Sequence, residues 1–142
     1  MMDIDSFSGR IKKNNPPDQA LLSTLVEKID FTIDKEFLFL MKHYNGISGC
    51  MNEGKYFTVW SIEDILKINP YYDFIEQCKN LFFFGSYGSG TVYAFNKTNS
   101  LIVSMRYSGI GAEEPEVIAS SFDKFMEYVF HPWPCLYSGA EN

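Results

Sequence analysis

The stretch of the chain with the most suggestive chemistry is a glycine-rich run, Gly85-Ser86-Tyr87-Gly88-Ser89-Gly90. A phosphate-binding loop needs a strand before it, a helix after it and usually a lysine followed by serine or threonine. Here an aromatic and β-branched segment follows the run, which contains no lysine. We therefore favour a hairpin turn over a nucleotide site, although the glycines would let another chain approach the backbone closely.

Metal binding and nucleophilic catalysis both require side chains that converge, and the sequence offers few candidates. Two histidines, His43 and His131, and three cysteines, Cys50, Cys78 and Cys135, are scattered without the spacing of metal ligands. Neither histidine accompanies a nucleophile motif, and there is no Gly-x-Ser-x-Gly elbow. Cys50 could be reactive, but a free cysteine is more often inert packing. The sequence therefore predicts no catalytic residue, no metal site and no cofactor.

Two groups of side chains are suited to contacts with another protein. The run Glu113-Glu114-Pro115-Glu116 is either a solvated acidic loop or an acidic contact patch. Three tyrosines in predicted loops either contact a partner or cap the core. The predicted contact residues combine these tyrosines with carboxylates: Tyr71, Tyr72, Asp73, Tyr87, Glu113, Glu114 and Glu116.

The overall charge restricts the class of partner. The 142 residues carry a formal net charge of −6, and a surface of that sign repels the phosphate backbone of nucleic acids. A basic protein is a better partner, because opposite potentials speed the encounter and favour correct docking. Aromatic residues make up 17% of the chain, enough to leave some tyrosines for such contacts.

The expected compartment is the cytoplasm. An odd number of cysteines without a Cys-x-x-Cys motif indicates free thiols in a reducing environment. The N-terminus lacks the basic and apolar regions of a signal peptide, and the dense apolar run Phe37-Leu38-Phe39-Leu40-Met41 is far shorter than a membrane span. We expect a soluble protein with no membrane partner, and the sequence leaves its oligomeric state open.

Four helices are predicted, three of them by apolar residues repeated at i, i+3, i+4 and i+7. Each begins at a residue suited to a helix N-terminus: Asp18 after Pro16-Pro17, then Asp34, Ser61 and Ser120. The second is expected to end at Asn45-Gly46, which tolerates a left-handed backbone, with His43 in its last turn. The third is expected to stop at Asn69-Pro70, because the residue before proline avoids the helical region.

The strands are predicted to cluster in the middle of the chain. Residues 81–107 hold three apolar runs separated by two turn-rich gaps, the pattern of an antiparallel meander. Residues 56–60 and 117–119 read as further strands, and 47–54 as a loop or a short edge strand. Residues 1–15 suggest either a short helix or an arm held against the domain.

Helices that precede and follow a block of strands indicate an α+β fold with an antiparallel sheet. We expect one domain over residues 1–142, with its core at about 17–130. The arm 1–15 and the tail 136–142 are expected to be peripheral.

Four segments in a fixed order carry a resemblance to the SUKH superfamily, a group named after the yeast cell-wall-assembly regulators. They are the helix 33–40 running into Tyr44-Asn45-Gly46, the strand, tryptophan and short helix of 56–65, the glycine turn and aromatic strand of 83–95, and the closing helix of 118–125. The resemblance covers roughly residues 17–130. It implies an α+β domain with helices packed around a curved, mostly antiparallel sheet.

The resemblance also implies a class of function. Many bacterial members look like immunity proteins, which bind and neutralise toxins, often nucleases. The family has no catalytic residues to carry over, and its binding surface varies among members. Our first hypothesis is therefore a non-enzymatic immunity protein that binds a cognate, basic toxin domain.

Two other hypotheses stay open at this point. The second is a regulatory scaffold that binds an endogenous protein, and the third is a small-molecule or nucleotide-binding domain that uses the turn at 85–90. An enzyme is the least favoured class.

Overall fold

A computed structural model describes residues 11–50, 56–88 and 90–130. Within them, seven strands form one antiparallel sheet in chain order: β1 (Ile11–Lys13), β2 (Ile47–Cys50), β3 (Tyr56–Val59), β4 (Leu81–Tyr87), β5 (Thr91–Asn96), β6 (Ile102–Arg106) and β7 (Glu116–Ala119). The α-helices are α1 (Gln19–Lys28), α2 (Lys35–Tyr44), α3 (Ile62–Tyr72) and α4 (Phe122–Phe130). This architecture confirms the predicted α+β fold and its antiparallel meander.

The helix N-termini follow from their capping side chains. Asp18 and Asp34 accept from the backbone N–H groups of Leu21 and Glu36, both at 2.8 Å, and Ser61 accepts from Asp64 at 3.2 Å. These three predicted starts are confirmed.

The start of α4 differs from the prediction. Ser121, and not Ser120, occupies the capping position, and its Oγ accepts from the Lys124 N–H at 3.4 Å. The second oxygen of Asp34 accepts from the Phe122 N–H at 2.8 Å, so the carboxylate that caps α2 also holds the first turn of α4.

The two faces of the sheet are covered by different elements. Phe84 packs against Phe37 of α2 and Phe125 of α4, with ring centroids 5.6 and 5.3 Å apart. Its neighbour Phe83 packs against Tyr72 of α3, at 5.2 Å. The pairing of β4 with β5 shifts register between Phe83 and Gly85, so a β-bulge lies at Phe84. We call the two sides the α4 face and the α3 face.

Several predicted boundaries were wrong. The helix predicted to stop at Asn69-Pro70 continues to Tyr72. The glycine run begins inside β4, which continues to Tyr87, and β5 begins at Thr91. Residues 47–50 form β2, which lies between β1 and β3 and is not an edge strand. Residues 11–13 form the edge strand β1, so the alternative of an arm held against the domain fits them, whereas a helix does not.

Some expectations concern residues outside the described ranges. They are the remainder of the N-terminal arm, residues 51–54, His131 and the C-terminal tail.

Candidate partner-binding surface

Three of the predicted contact residues, Tyr71, Tyr72 and Asp73, lie together at the C-terminal end of α3. The prediction placed the two tyrosines in a loop, which was wrong, since both belong to the last turn of the helix. Tyr72 is half-buried, with its ring edge-on to Tyr71 at 5.1 Å. The Tyr72 ring also packs on Phe83 of β4, so Tyr72 anchors the helix end to the sheet. Tyr71, by contrast, is 69% exposed.

Phe74 extends this exposed aromatic surface just beyond the helix. It is 77% exposed, and the sequence reasoning did not single it out. The signal was present, because Phe74 lies three residues after Tyr71 and helical spacing would place the two on one side. Because the helix was expected to stop at Asn69-Pro70, no helical spacing was expected beyond it.

The connection between β6 and β7 lies against the same end of α3. A Cβ atom built on Gly111 would lie 3.2 Å from Cγ2 of Ile75, so the two segments are in contact. Burial raises the pKa of Tyr107, a hydrogen bond with Ser86 lowers it, and the nearby Tyr72 raises it further. Tyr107 is 37% exposed and was also missed. We name Tyr71, Asp73, Phe74 and Tyr107 the α3-end surface.

Glu113 is held by an ion pair across its own loop. Nε of Arg106 donates to Oε1 of Glu113 at 3.2 Å, and Nη2 of Arg106 contacts Oε2. The hydrogen bond with this carboxylate raises the pKa of the Arg106 guanidinium. Since Arg106 offsets the charge of Glu113, the net negative charge of this part of the chain comes from Glu114 and from Glu116 at the start of β7, both exposed.

Tyr87 and Glu116 lie on the other face of the sheet. Tyr87 pairs with Thr91, which shares a face with Tyr93, and Tyr93 packs on Phe125 of α4 at 4.8 Å. Glu116 pairs with Ser104, the partner of Tyr93. Both residues were expected in loops, but each belongs to a strand, and Tyr87 is half-buried. The structure therefore does not gather all seven predicted contact residues on one surface.

The described residues offer little for covalent or metal chemistry. Within the described ranges, no group of three or more His, Cys, Asp or Glu side chains is placed to hold a metal ion. Burial raises the pKa of the Cys78 thiol, which disfavours the reactive thiolate. In the same part of the chain, no helix is both long and apolar enough to cross a membrane.

The chain resembles a known family over most of its length. The model of the SMI1/KNR4 family (SUKH-1) matches residues 16–128. No curated protein matches the chain.

Proposed function

We propose that this chain, which belongs to the SMI1/KNR4 family (SUKH-1), is a non-enzymatic immunity protein that binds and neutralises a cognate toxin domain in the cytoplasm. At the level of the family, an immunity or a regulatory role fits. Both roles act through contact with another protein.

The observation that carries the proposal is the pair of exposed aromatic rings on the α3-end surface. Tyr71 and Phe74 are 69% and 77% exposed, although aromatic side chains of this size are normally buried. Aromatic residues often supply most of the binding energy at the centre of an interface. Tyr72 packs on Phe83 and holds the end of α3 against the sheet, so the rings of Tyr71 and Phe74 project from a fixed position.

The charge around these rings favours a basic partner. Asp73 lies between them in sequence and is exposed, and Glu114 is exposed on the adjacent connection. Lysine or arginine side chains of a toxin could pair with these carboxylates around the aromatic contacts. In this mechanism the immunity protein covers the functional surface of the toxin, with no chemical step of its own.

The first test is whether a toxin gene neighbours this one in the source genome, and the absence of such a gene would count against the proposal. The encoded toxin domain is then used for the binding experiments. Co-expression of the wild-type protein should restore growth, and the two purified proteins should form a complex. The double variant Tyr71→Ala/Phe74→Ala should bind at least tenfold more weakly, a loss of about 1.4 kcal/mol or more. The matched control is Tyr128→Ala, because Tyr128 is 54% exposed on α4 at the other face of the sheet.

Two results would overturn the proposal. If the wild-type protein neither restores growth nor binds the toxin, toxin neutralisation is wrong, and a partner captured from the source lysate would favour the regulatory role. If Tyr128→Ala weakens binding while the double variant does not, the contact surface lies on the α4 face.

A further inference from the structure

The last strand of the sheet, β7, has one edge that faces no other described strand. Of the strands in the described part of the chain, only β6 pairs with β7, and no other described backbone group is hydrogen-bonded to it. An edge strand directs the backbone N–H and C=O groups of alternate residues away from the sheet. These groups of β7 are therefore placed to pair with an added strand.

The opposite edge of the sheet, β1, is of a different kind. It is three residues long, and two of them are the exposed lysines Lys12 and Lys13. Short length and lysine side chains are features by which proteins keep an edge strand from pairing. β7 contains no lysine and carries Val117, an apolar side chain that is 56% exposed. Of the two edges, β7 is the one suited to accept a strand.

The register of β7 determines which side chains an added strand would meet. Val117 pairs with Val103 of β6, which pairs with Ala94 of β5. Since Ala94 pairs with Phe83 on the α3 face, Val117 lies on that face too. The preceding residue, Glu116, lies on the α4 face, and the register of β7 with β6 shifts only beyond Val117. An added strand therefore meets a carboxylate and an apolar side chain at consecutive positions, on opposite faces of the sheet.

The charge near this edge favours a basic segment over a second copy of the chain. Residues 102–130 hold five acidic and two basic side chains, and one of the basic ones, Arg106, is already paired with Glu113. Glu114 and Glu116 are exposed and make no ion pair with a described residue. A second copy would bring a further net charge of −6, whereas a basic segment offsets these carboxylates.

We propose that the partner protein adds an extended segment to β7, with a lysine or arginine opposite Glu116 and an apolar residue opposite Val117. Main-chain hydrogen bonds attach the segment to the edge, and the two side-chain contacts fix its register. The inference rests on the proposed function, because the partner is the protein that covers the α3-end surface. The connection between β6 and β7 contacts the end of α3 at Ile75 and leads directly into β7, so one partner reaches both.

The test titrates the ¹⁵N-labelled protein with the peptide acetyl-Val-Lys-Val-Lys-Val-amide. The amide signals of residues 116–119 should shift in a saturable manner, and those of residues 11–13 should not. N-methylation of the three central residues of the peptide removes their N–H donors and should weaken binding about fivefold or more. The same peptide with glutamate in place of both lysines should also bind about fivefold or more weakly.

A charge reversal on β7 tests the predicted contact of Glu116. Glu116→Lys should weaken binding of the lysine peptide about threefold or more, because it replaces an attraction across the strands by a repulsion. Glu27→Lys is the matched control, since it makes the same change of charge at an exposed position of α1.

Four outcomes would contradict the proposal. Absence of saturable shifts at millimolar peptide, or equal binding of the N-methylated peptide, would refute strand addition. Equal binding of the glutamate peptide, or equal losses in Glu116→Lys and Glu27→Lys, would remove the role of Glu116. Shifts of residues 116–119 that grow with protein concentration in the absence of peptide would assign the edge to a second copy of the chain. None of these results depends on the toxin, so they are distinguishable from a failure of toxin binding.

Discussion

At the scale of single residues, Asn45 joins the end of α2 to the start of α3. Asn45 has a φ of 49°, the left-handed conformation expected for a helix end. Its Oδ1 accepts from the Ile62 N–H at 2.7 Å, and its Nδ2 donates to Oε1 of Glu63 at 3.0 Å. The Asn-Gly motif of the sequence was read as a helix terminator, and the structure adds that it also caps the next helix of the domain.

Gly46 should not tolerate a side chain. Its φ is 96°, and a Cβ atom there would lie 2.6 Å from the backbone oxygen of Val59. We expect Gly46→Ala to lower the free energy of unfolding by at least about 2 kcal/mol, measured by urea denaturation. Gly90→Ala is the control, because nothing lies within 4 Å of that Cβ position. Equal losses in the two variants would refute this reading of Gly46.

Glu63 should make stability depend on pH in the acid range. The hydrogen bond from Asn45 is the largest cause that lowers the pKa of Glu63 from its usual value of 4.5. A carboxyl group with a lower pKa in the folded state stabilises the protein above its unfolded pKa, and this contribution is lost as the pH falls through the folded pKa.

Glu63→Gln should therefore reduce the difference in unfolding free energy between about pH 6 and pH 3. Glu27→Gln, on the exposed side of α1, should leave that difference closer to the wild-type value. If Glu63→Gln leaves the pH dependence unchanged, the Asn45 contact does not stabilise the charged form.

At the scale of elements, the side-chain amide of Asn69 makes hydrogen bonds to the backbone of β4 that a neighbouring strand would otherwise make. Pairing of β3 with β4 ends at Val59 and Gly85, which leaves the backbone of Phe83 without a strand partner on that side. Oδ1 of Asn69 accepts from the Phe83 N–H, and Nδ2 of Asn69 donates to the Phe83 carbonyl, both at 2.8 Å. This amide therefore fastens α3 to β4.

Removal of that amide should loosen α3 from the sheet. Asn69→Ala leaves two backbone groups of Phe83 without partners, so we expect a loss of about 2 kcal/mol or more in unfolding free energy. Asn15→Ala is the matched control, since Asn15 is exposed and should change stability by less than about 0.5 kcal/mol. Similar values for the two variants would show that Asn69 does not hold the helix.

The helix boundary at Asn69-Pro70 shows why local sequence rules failed at the candidate surface. Proline disfavours a helical conformation in the preceding residue, and the prediction stopped the helix there. The tertiary hydrogen bonds of Asn69 to the backbone of Phe83 compensate for that preference, and no local pattern reveals them. As a result, Tyr71 and Phe74 extend from a supported helix end.

At the scale of the whole molecule, one aromatic cluster joins the helices to the sheet. Phe84 is fully buried, and its ring lies 4.7 Å from Phe95 and 5.3 Å from Phe125. The contacts of Phe84 with Phe37 and Phe125 join the meander to α2 and α4.

Removal of the Phe84 ring should take away a large part of the free energy of unfolding. Phe84→Ala is expected to cost about 3–5 kcal/mol, a large part of the roughly 5–15 kcal/mol that stabilises a domain. Phe74→Ala removes a ring that is 77% exposed and should cost less than about 0.5 kcal/mol. Thermal unfolding of the two variants checks the contrast, and comparable melting temperatures would contradict the described core.

The sequence could not show on which face of the sheet Tyr87 lies, for one geometrical reason. Alternation along β4 would place Tyr87 on the same face as Phe83, but the bulge at Phe84 reverses the side for the rest of the strand. Tyr87 consequently lies on the α4 face and Tyr72 on the α3 face. Composition predicted which segments form strands. The face on which the side chains after the bulge in β4 lie depends on one inserted residue, which composition does not reveal.

The chain order of the meander also has a consequence for how the protein folds. Residues 88–90 connect β4 to β5 and residues 97–101 connect β5 to β6, so these pairings close short loops at low entropic cost. By contrast, β1 and β2 are separated by α1 and α2, and β3 and β4 by α3. The ribbon of β4, β5 and β6 is therefore expected to form early in folding, and β1 to join the sheet after α1 and α2 have docked.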